Sequence, residues 1–451
     1  MSRIRHAAVA ALAAVVVSVL APASAQAEQK TTFRIGFVTF LSGPAAGPFG
    51  VPAKLAAEAI VESLNAGKGP APYQVKGIGS LPIELVVVDE AGGGTKQVSE
   101  FRSLVQRQDV DAVIGYIGSG DCLAIAPVAE EMKVLTVLFD CGTPRVFEEA
   151  SYKYVFRTRA HATMDAVAAT LYLLDNRPAV KRITGINQNY AYGQDSWNDF
   201  EATIKTVRPD AEIISSQMPK FGAGQYGAEI SALLSANPDV IHSSLWGGDL
   251  EAFMLQAQPR DLFKRAQLIL VAGEPYLHRL PGKIPDGTII GARGPNGAFA
   301  PDSALKRWLT EIYKGKSGGL DPNYPAYSVA NAFLGIKTAF EKAQRTKIGA
   351  AIPMGAAKNV KEEMEKAYAP ANTEEAIASF ENLVFDGPAG KVRMALGKGH
   401  QAVQGTAYGT TRLENGVIKL GNIKYYDADR VTPPEGVSSL DWIKSGFRKA
   451  K

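Results

Sequence analysis

The stretch Asp109–Pro144, with the sequence DVDAVIGYIGSGDCLAIAPVAEEMKVLTVLFDCGTP, predicts one parallel βαβ unit. Its apolar runs Val110–Tyr116 and Val134–Phe139 are typical of buried strands, and Leu123–Met132 between them is typical of a helix. Each strand ends in a small polar turn. In an open α/β sheet, the carboxyl ends of parallel strands and the amino ends of helices border a crevice. We therefore expect a small ligand with a carboxylate or similar group to be held there.

The two turns contain candidate ligand-binding residues. The first reads Gly118-Ser119-Gly120-Asp121 and the second Asp140-Cys141-Gly142-Thr143. The polar side chains of the first turn have an alternative role, because Ser119 or Asp121 could cap the helix that follows. Asp140 could equally be a solvated turn residue.

The only two cysteines of the chain, Cys122 and Cys141, lie in this same unit. Adjacent parallel strands bring the two turns close enough for a disulfide, although the permitted separation is narrow. An exported protein can keep such a bond. Two buried free thiols are the alternative.

The amino-terminal residues 1–27 read as a signal peptide. A short basic segment, MSRIRH, precedes the apolar run Ala7–Ala21, and small residues suited to cleavage follow at Ala25 and Ala27. A membrane anchor fits less well, because a spanning helix needs about 20 apolar residues. We expect cleavage after Ala25 or Ala27 and a soluble periplasmic product, with the formal charge falling from +4 to +2.

The composition excludes several classes of function. The chain is 46% hydrophobic and 21% charged, and no cluster of Lys and Arg predicts a nucleic-acid partner. Its histidines show no metal-ligand spacing. No GxSxG elbow joins a predicted strand to a helix, and the zinc-protease and phosphate-loop motifs HExxH and GxxxxGK[ST] are missing from the sequence. We therefore expect no cofactor, no metal and no enzymatic activity.

The remaining chain predicts an α/β fold with two lobes. From Phe33 to Phe139 apolar strands alternate with amphipathic helices, which indicates a doubly wound sheet. A second series of strands and helices follows Arg157. Crossing segments near Arg157, Gly291 and Asp386 divide the chain into one lobe of residues 28–157 and 292–385 and another of 158–291 and 386–451. Three crossing strands would form a hinge that lets the lobes close on a ligand.

Short motifs occur along the mature chain in one order. They are Leu41-Ser42-Gly43-Pro44 after the first strand, Leu64-Asn65-Ala66-Gly67, Asp89, Val110–Gly115 followed by Ser119, Pro127–Glu130, Thr143-Pro144, Tyr154–Thr158, Tyr192-Gly193 and Pro238-Asp239-Val240. In this order and at these spacings the chain resembles the extracytoplasmic binding proteins of ABC importers for branched-chain amino acids, amino acids and amides, the Leu/Ile/Val-binding family. The resemblance covers about Phe33–Trp442.

The resemblance implies a type I periplasmic binding protein with two Rossmann-like lobes that close like a clam shell on a small-molecule ligand. It also implies delivery of that ligand to an ABC permease and ATPase at the membrane, by a monomer. A periplasmic receptor for a sensor or chemoreceptor is the alternative function, and a hydrolase is a remote one.

The resemblance also carries family ligand contacts onto residues of this chain. Phe49 falls on an aromatic wall, Glu274 on an acid that binds a ligand ammonium, and Tyr324 or Tyr327 on an aromatic before a long helix. The remaining predicted contacts are Ser119, Gly120, Asp121, Asp140, Cys141, Gly142, Tyr190, Tyr192 and Trp246. The aromatic members could also be ordinary packing residues.

The two acids in the turns depart from the family pattern. Asp121 and Asp140 stand where hydroxyl groups and small residues usually meet a carboxylate. They favour an amide, a polyamine-like group or another cationic or polar ligand over a plain leucine-like one.

Overall fold

The structure, a computed structural model, describes residues 30–351 and 370–448. The predicted signal peptide lies outside the described residues. No helix within the two described ranges is both long and apolar enough to cross a membrane.

Strands and helices alternate through most of the chain. The strands are β1 Phe33–Thr39, β2 Ile83–Asp89, β3 Ala112–Gly115, β4 Leu135–Leu138, β5 Val155–Arg157, β6 Arg182–Ile186, β7 Glu212–Gln217, β8 Val240–Ser243, β9 Gln267–Leu270, β10 Ile289–Gly291, β11 Val384–Gly387, β12 Gly390–Leu396, β13 Gln401–Val403, β14 Thr406–Glu414 and β15 Val417–Tyr426. The α-helices are α1 Val51–Asn65, α2 Gly93–Gln106, α3 Ser119–Met132, α4 Arg145–Glu148, α5 Ala162–Asn176, α6 Ala191–Val207, α7 Gly227–Ala236, α8 Gly248–Ala257, α9 Leu262–Arg265, α10 Ala304–Ser317, α11 Tyr324–Ala351, α12 Thr373–Phe380, α13 Ala428–Val431 and α14 Ser439–Lys444.

The first lobe is built on an eight-stranded sheet in the order β11-β12-β13-β5-β4-β3-β1-β2. Its pairs from β13 to β2 are parallel, and β11, β12 and β13 pair antiparallel. Alternate residues of β1 face opposite helix layers. Ile35 and Phe37 pack in the core that contains α1 and α11, whereas Val38 packs in the core that contains α2 and α3. Burial on both faces explains why the parallel strands read as continuous apolar runs.

The second lobe is built on a seven-stranded sheet in the order β15-β14-β10-β9-β8-β6-β7. The strands from β7 to β10 are parallel, and β14 and β15 complete the sheet as antiparallel strands. Helices α5 and α6 pack together on this sheet. The predicted α/β fold with two Rossmann-like lobes is therefore confirmed, with the refinement that each sheet carries antiparallel strands at one edge.

The chain passes between the two sheets after β5, after β10 and between β13 and β14. The first two crossings follow Arg157 and Gly291, as expected. The third lies between Val403 and Thr406, so the expected crossing at Asp386 was wrong. The cause is the turn that pairs Gly387 with Gly390, which folds the chain back into the first sheet as β12. The expected lobe boundary at 385 thus falls within strands of the first sheet.

Candidate functional site

The Ser119 side chain fixes the turn after β4. Helix α3 begins at Ser119. Its N-cap residue is Gly118, which has no side chain that could cap the helix. The Ser119 Oγ instead accepts hydrogen bonds from the backbone amides of Gly142, at 3.1 Å, and Thr143, at 3.2 Å. Both amides belong to the turn in which the sequence predicts ligand-binding residues. Ser119 therefore shapes the crevice by holding two predicted turns together.

Asp121 is directed toward another carboxyl group inside the first lobe. Glu90 accepts hydrogen bonds from the amides of Ile117 and Gly118, and its side chain is bonded to that of Asp121. Burial raises the pKa of Asp121 to about 6, and burial together with Asp121 raises the pKa of Glu90 well above its usual value. The raised pKa values favour a protonated carboxyl group in this pair, and the Asp121 side chain is hydrogen-bonded to Glu90. Gly120 beside it is exposed.

A disulfide joins the two strand ends of the organising unit. Cys122 and Cys141 are bonded, with their Cα atoms 6.4 Å apart, and both are fully buried. The bond ties the first turn of α3 to the turn after β4. It therefore reinforces the contact that Ser119 makes with Gly142.

Four buried charged residues, here called the charge centre, lie beside this turn: Asp140, Arg159, Asp165 and Arg293. The Asp140 Oδ1 accepts hydrogen bonds from the Nη1 of Arg159 and from the Nη1 of Arg293, the latter at 3.1 Å. The Arg159 Nη2 also donates to the backbone oxygen of Arg293 at 2.6 Å. Asp140 is therefore a counter-ion for two guanidinium groups, and the charge of the ligand stays a prediction.

The charge centre keeps guanidinium donors without a protein partner. The Nε and Nη2 of Arg293 and the Nε of Arg159 make no hydrogen bond, and neither does the Tyr192 hydroxyl. The Arg293 Nε lies 3.9 Å from the Asp165 Oδ2, which is an ion pair without a hydrogen bond. Burial raises the pKa of both Asp140 and Asp165, against the pull of the arginines. Buried donors of this kind suit an anionic group.

Aromatic rings flank the two arginines. The Arg293 guanidinium lies 4.7 Å from the ring centroid of Tyr192, and that of Arg159 lies 5.5 Å from the ring centroid of Tyr324. Gly142 allows this approach, because a Cβ added there would lie 2.3 Å from the Arg293 Nη2 and 2.6 Å from the Tyr192 ring. Gly142 is thus required by the close packing of the charge centre against the first lobe.

An aromatic wall of Phe49, Trp246, Tyr276 and Tyr324 borders the charge centre. The Phe49 ring lies 5.1 Å from Trp246, 6.1 Å from Tyr276 and 5.5 Å from Tyr324, between ring centroids. Phe49 precedes α1 and Tyr324 begins α11 in the first lobe, whereas Trp246 and Tyr276 follow strands of the second. The half-buried Tyr190 supports Trp246 by accepting a 2.7 Å hydrogen bond from its Nε1. The predicted aromatics therefore meet across the two lobes.

Thr143 and Arg145 of the first lobe hold Asp195 of the second. The Asp195 Oδ2 accepts from the Thr143 hydroxyl at 2.6 Å, and its Oδ1 accepts from the Arg145 Nη2 at 2.5 Å. Asp195 lies on α6 and is nearly buried. These bonds stabilise the arrangement in which the lobes are in contact.

Glu274 bridges the lobes through backbone groups. One carboxylate oxygen accepts from the amide of Ala298 at 3.0 Å, and the other accepts from the amide of Tyr324 at 2.9 Å. Glu274 also lines a cavity of about 540 Å³ with Lys306 and Asp321. Burial raises the pKa of Glu274 from 4.5 to about 7. Contact of this side chain with a ligand ammonium stays a prediction.

The raised pKa of Glu274 predicts a pH-dependent contribution to stability. The folded protein holds a proton at Glu274 that the unfolded chain releases above its ordinary pKa, so the wild type loses stability as the pH rises. Relative to Glu274→Gln, the wild-type free energy of unfolding should fall by roughly 2 kcal/mol between about pH 5 and pH 8. Urea denaturation of both proteins across this range measures the difference. Glu131→Gln, at an exposed site, is the control, and parallel curves for the wild type and Glu274→Gln would disprove the assignment.

The sequence did not reveal Arg159, Asp165, Tyr276 or Arg293. Arg159 lies two residues after β5 and Arg293 two residues after β10, directly beyond crossing strands. Both arginines directly follow crossing segments, and this position could have identified them from the sequence, because crossing segments must pass the space between the lobes. Within the described ranges no group of three or more His, Cys, Asp or Glu side chains could hold a metal ion.

Comparisons with known proteins agree with this architecture. A family model described as periplasmic binding protein matches residues 32–415. A search of curated proteins found no match. Among solved structures, a solute-binding protein of an ABC transporter from Rhodopseudomonas palustris BisB5, in complex with 3,4-dihydroxybenzoic acid, is 17% identical, with a TM-score of 0.71 over 88% of this chain and 98% of that one.

Two further structures have the same fold. A leucine-binding protein from Thermotoga maritima is 19% identical, with a TM-score of 0.69 over 88% of this chain and 99% of that one. An amino acid ABC transporter substrate-binding protein from Pseudomonas fluorescens Pf-5 is 16% identical, with a TM-score of 0.69 over 88% of this chain and 96% of that one. Because the family model spans most of the sequence and the two-lobed fold agrees with it, the chain belongs to the periplasmic binding protein family.

Proposed function

We propose that this protein captures a small carboxylate-bearing solute between its two lobes and delivers it to an ABC importer. The observation that carries this proposal is the charge centre. Two buried arginines share the Asp140 Oδ1, and three of their guanidinium nitrogen atoms have no hydrogen-bond partner among the described residues. A carboxylate is the small group whose geometry matches such donors.

The aromatic wall supports a solute with an apolar or aromatic body. Phe49, Trp246 and Tyr324 lie within one connected set of ring contacts beside the arginines. Small-molecule sites typically combine such apolar contact area with a few placed polar groups. Proteins of similar fold support the same chemistry, because one is in complex with 3,4-dihydroxybenzoic acid and another is a leucine-binding protein, and both of these molecules contain a carboxyl group.

Binding requires the lobes to separate and then close. In the structure the lobes touch through the aromatic wall, the charge centre and the bonds to Asp195. A solute that contacts both Arg293 and the first lobe would stabilise the closed state. The size of this effect equals the difference between the binding free energies of the solute for the closed and the open state. In this proposal the two lobes are joined by the crossings near residues 157, 291 and 403.

We further propose that the protein is exported to the periplasm after cleavage at Ala25 or Ala27. We also propose that it is a monomer without enzymatic activity.

A thermal-shift screen tests the function. The panel contains benzoate, 4-hydroxybenzoate, leucine and other amino acids, together with the matching amides. A specific acid should raise the melting temperature in proportion to the logarithm of its concentration, because it binds only the folded protein. If no acid raises it at millimolar concentration while an amide or an amine does, the carboxylate assignment fails.

Arg293→Gln should weaken binding of the acid found in this way. Loss of a charged hydrogen-bond donor is expected to cost about 1.5–3 kcal/mol, which is roughly a tenfold to hundredfold rise in Kd. Isothermal titration calorimetry measures it, and Arg293→Lys should lose less because it keeps the charge. Arg102→Gln on the surface is the control. An unchanged Kd in Arg293→Gln would remove this arginine from the binding site.

A further inference from the structure

A second cavity lies beside the hinge, away from the charge centre. Its volume is about 210 Å³, and its lining includes Glu148, Arg157, His161, Gln401 and Val437. None of Asp140, Arg159 and Arg293 lines it. A water molecule takes up about 30 Å³ of liquid, so the cavity has room for a small anion with some water.

Arg157 enters this cavity with an unsatisfied donor. Its side chain is fully buried; the Nε donates to the Gln401 side chain, and the Nη1 donates to the backbone oxygens of Cys141 and Thr143. The Nη2 has no hydrogen-bond partner among the described residues. The hydrogen bonds of this buried guanidinium go to neutral groups, and its charge is opposed only in part by the carboxyl groups of Glu148 and Asp195. Burial and repulsion by Arg159 and Arg293 lower the pKa of Arg157 to about 9.

His161 adds a second polar group to the same wall. It is buried, and its Nδ1 has no hydrogen-bond partner. Burial, together with the nearby Arg157, lowers the pKa of His161 to about 3, so the imidazole is neutral at physiological pH. A neutral imidazole can donate one hydrogen bond to an oxygen atom without adding charge.

The other charged groups on the lining limit what can bind. The Glu148 Oε1 is occupied by the amide and hydroxyl of Ser439, and burial raises the pKa of Glu148. At the exposed rim, Glu435 accepts a bond from the backbone amide of Lys398. Because a raised pKa favours the protonated form of Glu148, this carboxyl group repels a small anion less than a carboxylate with an ordinary pKa would.

We propose that this hinge cavity is a second ligand site, which binds a small oxyanion such as inorganic phosphate or a short carboxylate through the Nη2 of Arg157 and the His161 ring. Its walls come from the end of β5, from β13 and from the carboxyl-terminal segment, so it adjoins two of the three crossings between the sheets. An oxyanion here is linked to lobe closure by the reciprocity of coupled equilibria.

Side-chain NMR of His161 tests this site. The whole protein, labelled with ¹⁵N, is titrated with sodium phosphate and separately with sodium acetate at constant pH and ionic strength, and His161→Gln assigns the imidazole signals. We expect saturable shifts of the His161 signals with at least one of the two anions. Arg102→Gln, on the surface, should leave the titration unchanged, because Arg102 does not line the cavity.

Two variants that fill the cavity provide the decisive comparison. Val437→Trp, at a half-buried position, and Ser151→Trp, at an exposed one, both place an indole at the lining. Each should weaken the anion titration at least tenfold, and neither removes the buried Arg157. Absence of a His161 shift with both anions would show that the cavity holds water only. A shift that survives both tryptophans, or that disappears in Arg102→Gln, would likewise overturn the proposal.

Discussion

Replacing Asp140 with asparagine is expected to lower the free energy of unfolding by about 3–5 kcal/mol, as is usual when one partner of a buried ion pair is removed. Asp140 is fully buried, and its Oδ1 is the shared acceptor of Arg159 and Arg293. Asparagine can still accept one hydrogen bond, but it leaves two buried guanidinium groups close together without their common counter-ion. Urea denaturation, followed by circular dichroism, measures the loss through the transition midpoint.

A surface pair gives the matched control for this variant. Arg102 and Glu131 form an ion pair at 2.7 Å, with side-chain exposures of 37% and 61%. Glu131→Gln should change stability by less than about 1 kcal/mol, because exposed pairs are solvated and screened. If Asp140→Asn were as mild as this control, the arginines would be hydrated in solution, and a closed, dry charge centre would be ruled out.

Removing the disulfide is expected to be the second large effect. Cys122 and Cys141 are 19 residues apart, and a crosslink that closes a loop of this size stabilises a protein by about 3 kcal/mol. The double variant Cys122→Ala/Cys141→Ala should therefore unfold at a clearly lower urea concentration. It should also weaken solute binding, because the bond holds the turn that carries Asp140 and Gly142.

Reduction of the wild type provides the control for the disulfide. The sequence has only these two cysteines, so dithiothreitol acts on this bond alone. The reduced wild type and the double variant should have the same transition midpoint within error. Equal stability of the oxidised and reduced wild type would contradict a stabilising role for the bond.

The lobes were predictable because their strands are buried on both faces. In β1, Phe33–Thr39, every residue except Arg34 is buried between two helix layers, so the strand reads as a nearly continuous apolar run. In contrast, β12 and β13 were missed. In β12 only Val392 and Met394 are buried, and β13 has three residues with a single paired position on β5. Such short strands depend on their neighbours in the sheet and leave little trace in the sequence.

The site was predictable only in part, for a related reason. Ser119, Asp140 and Tyr192 could be placed near the crevice from their positions at strand ends. The roles of Asp121 and Asp140 depend on partners distant in sequence, Glu90 for the first and Arg293 for the second. An arginine after a strand looks the same in sequence whether it is solvated or buried. The charged groups that face one another in the crevice could therefore be identified only from the three-dimensional structure.

Titration calorimetry of an acid against its own amide tests the central claim most directly. The acid with the largest thermal shift is compared with the amide of the same body, for example 4-hydroxybenzoate with 4-hydroxybenzamide or leucine with leucinamide. Because the arginines of the charge centre should pair with a carboxylate and not with a neutral amide, the acid should bind roughly tenfold tighter or more. Equal affinity for the two, or tighter binding of the amide, would contradict the account.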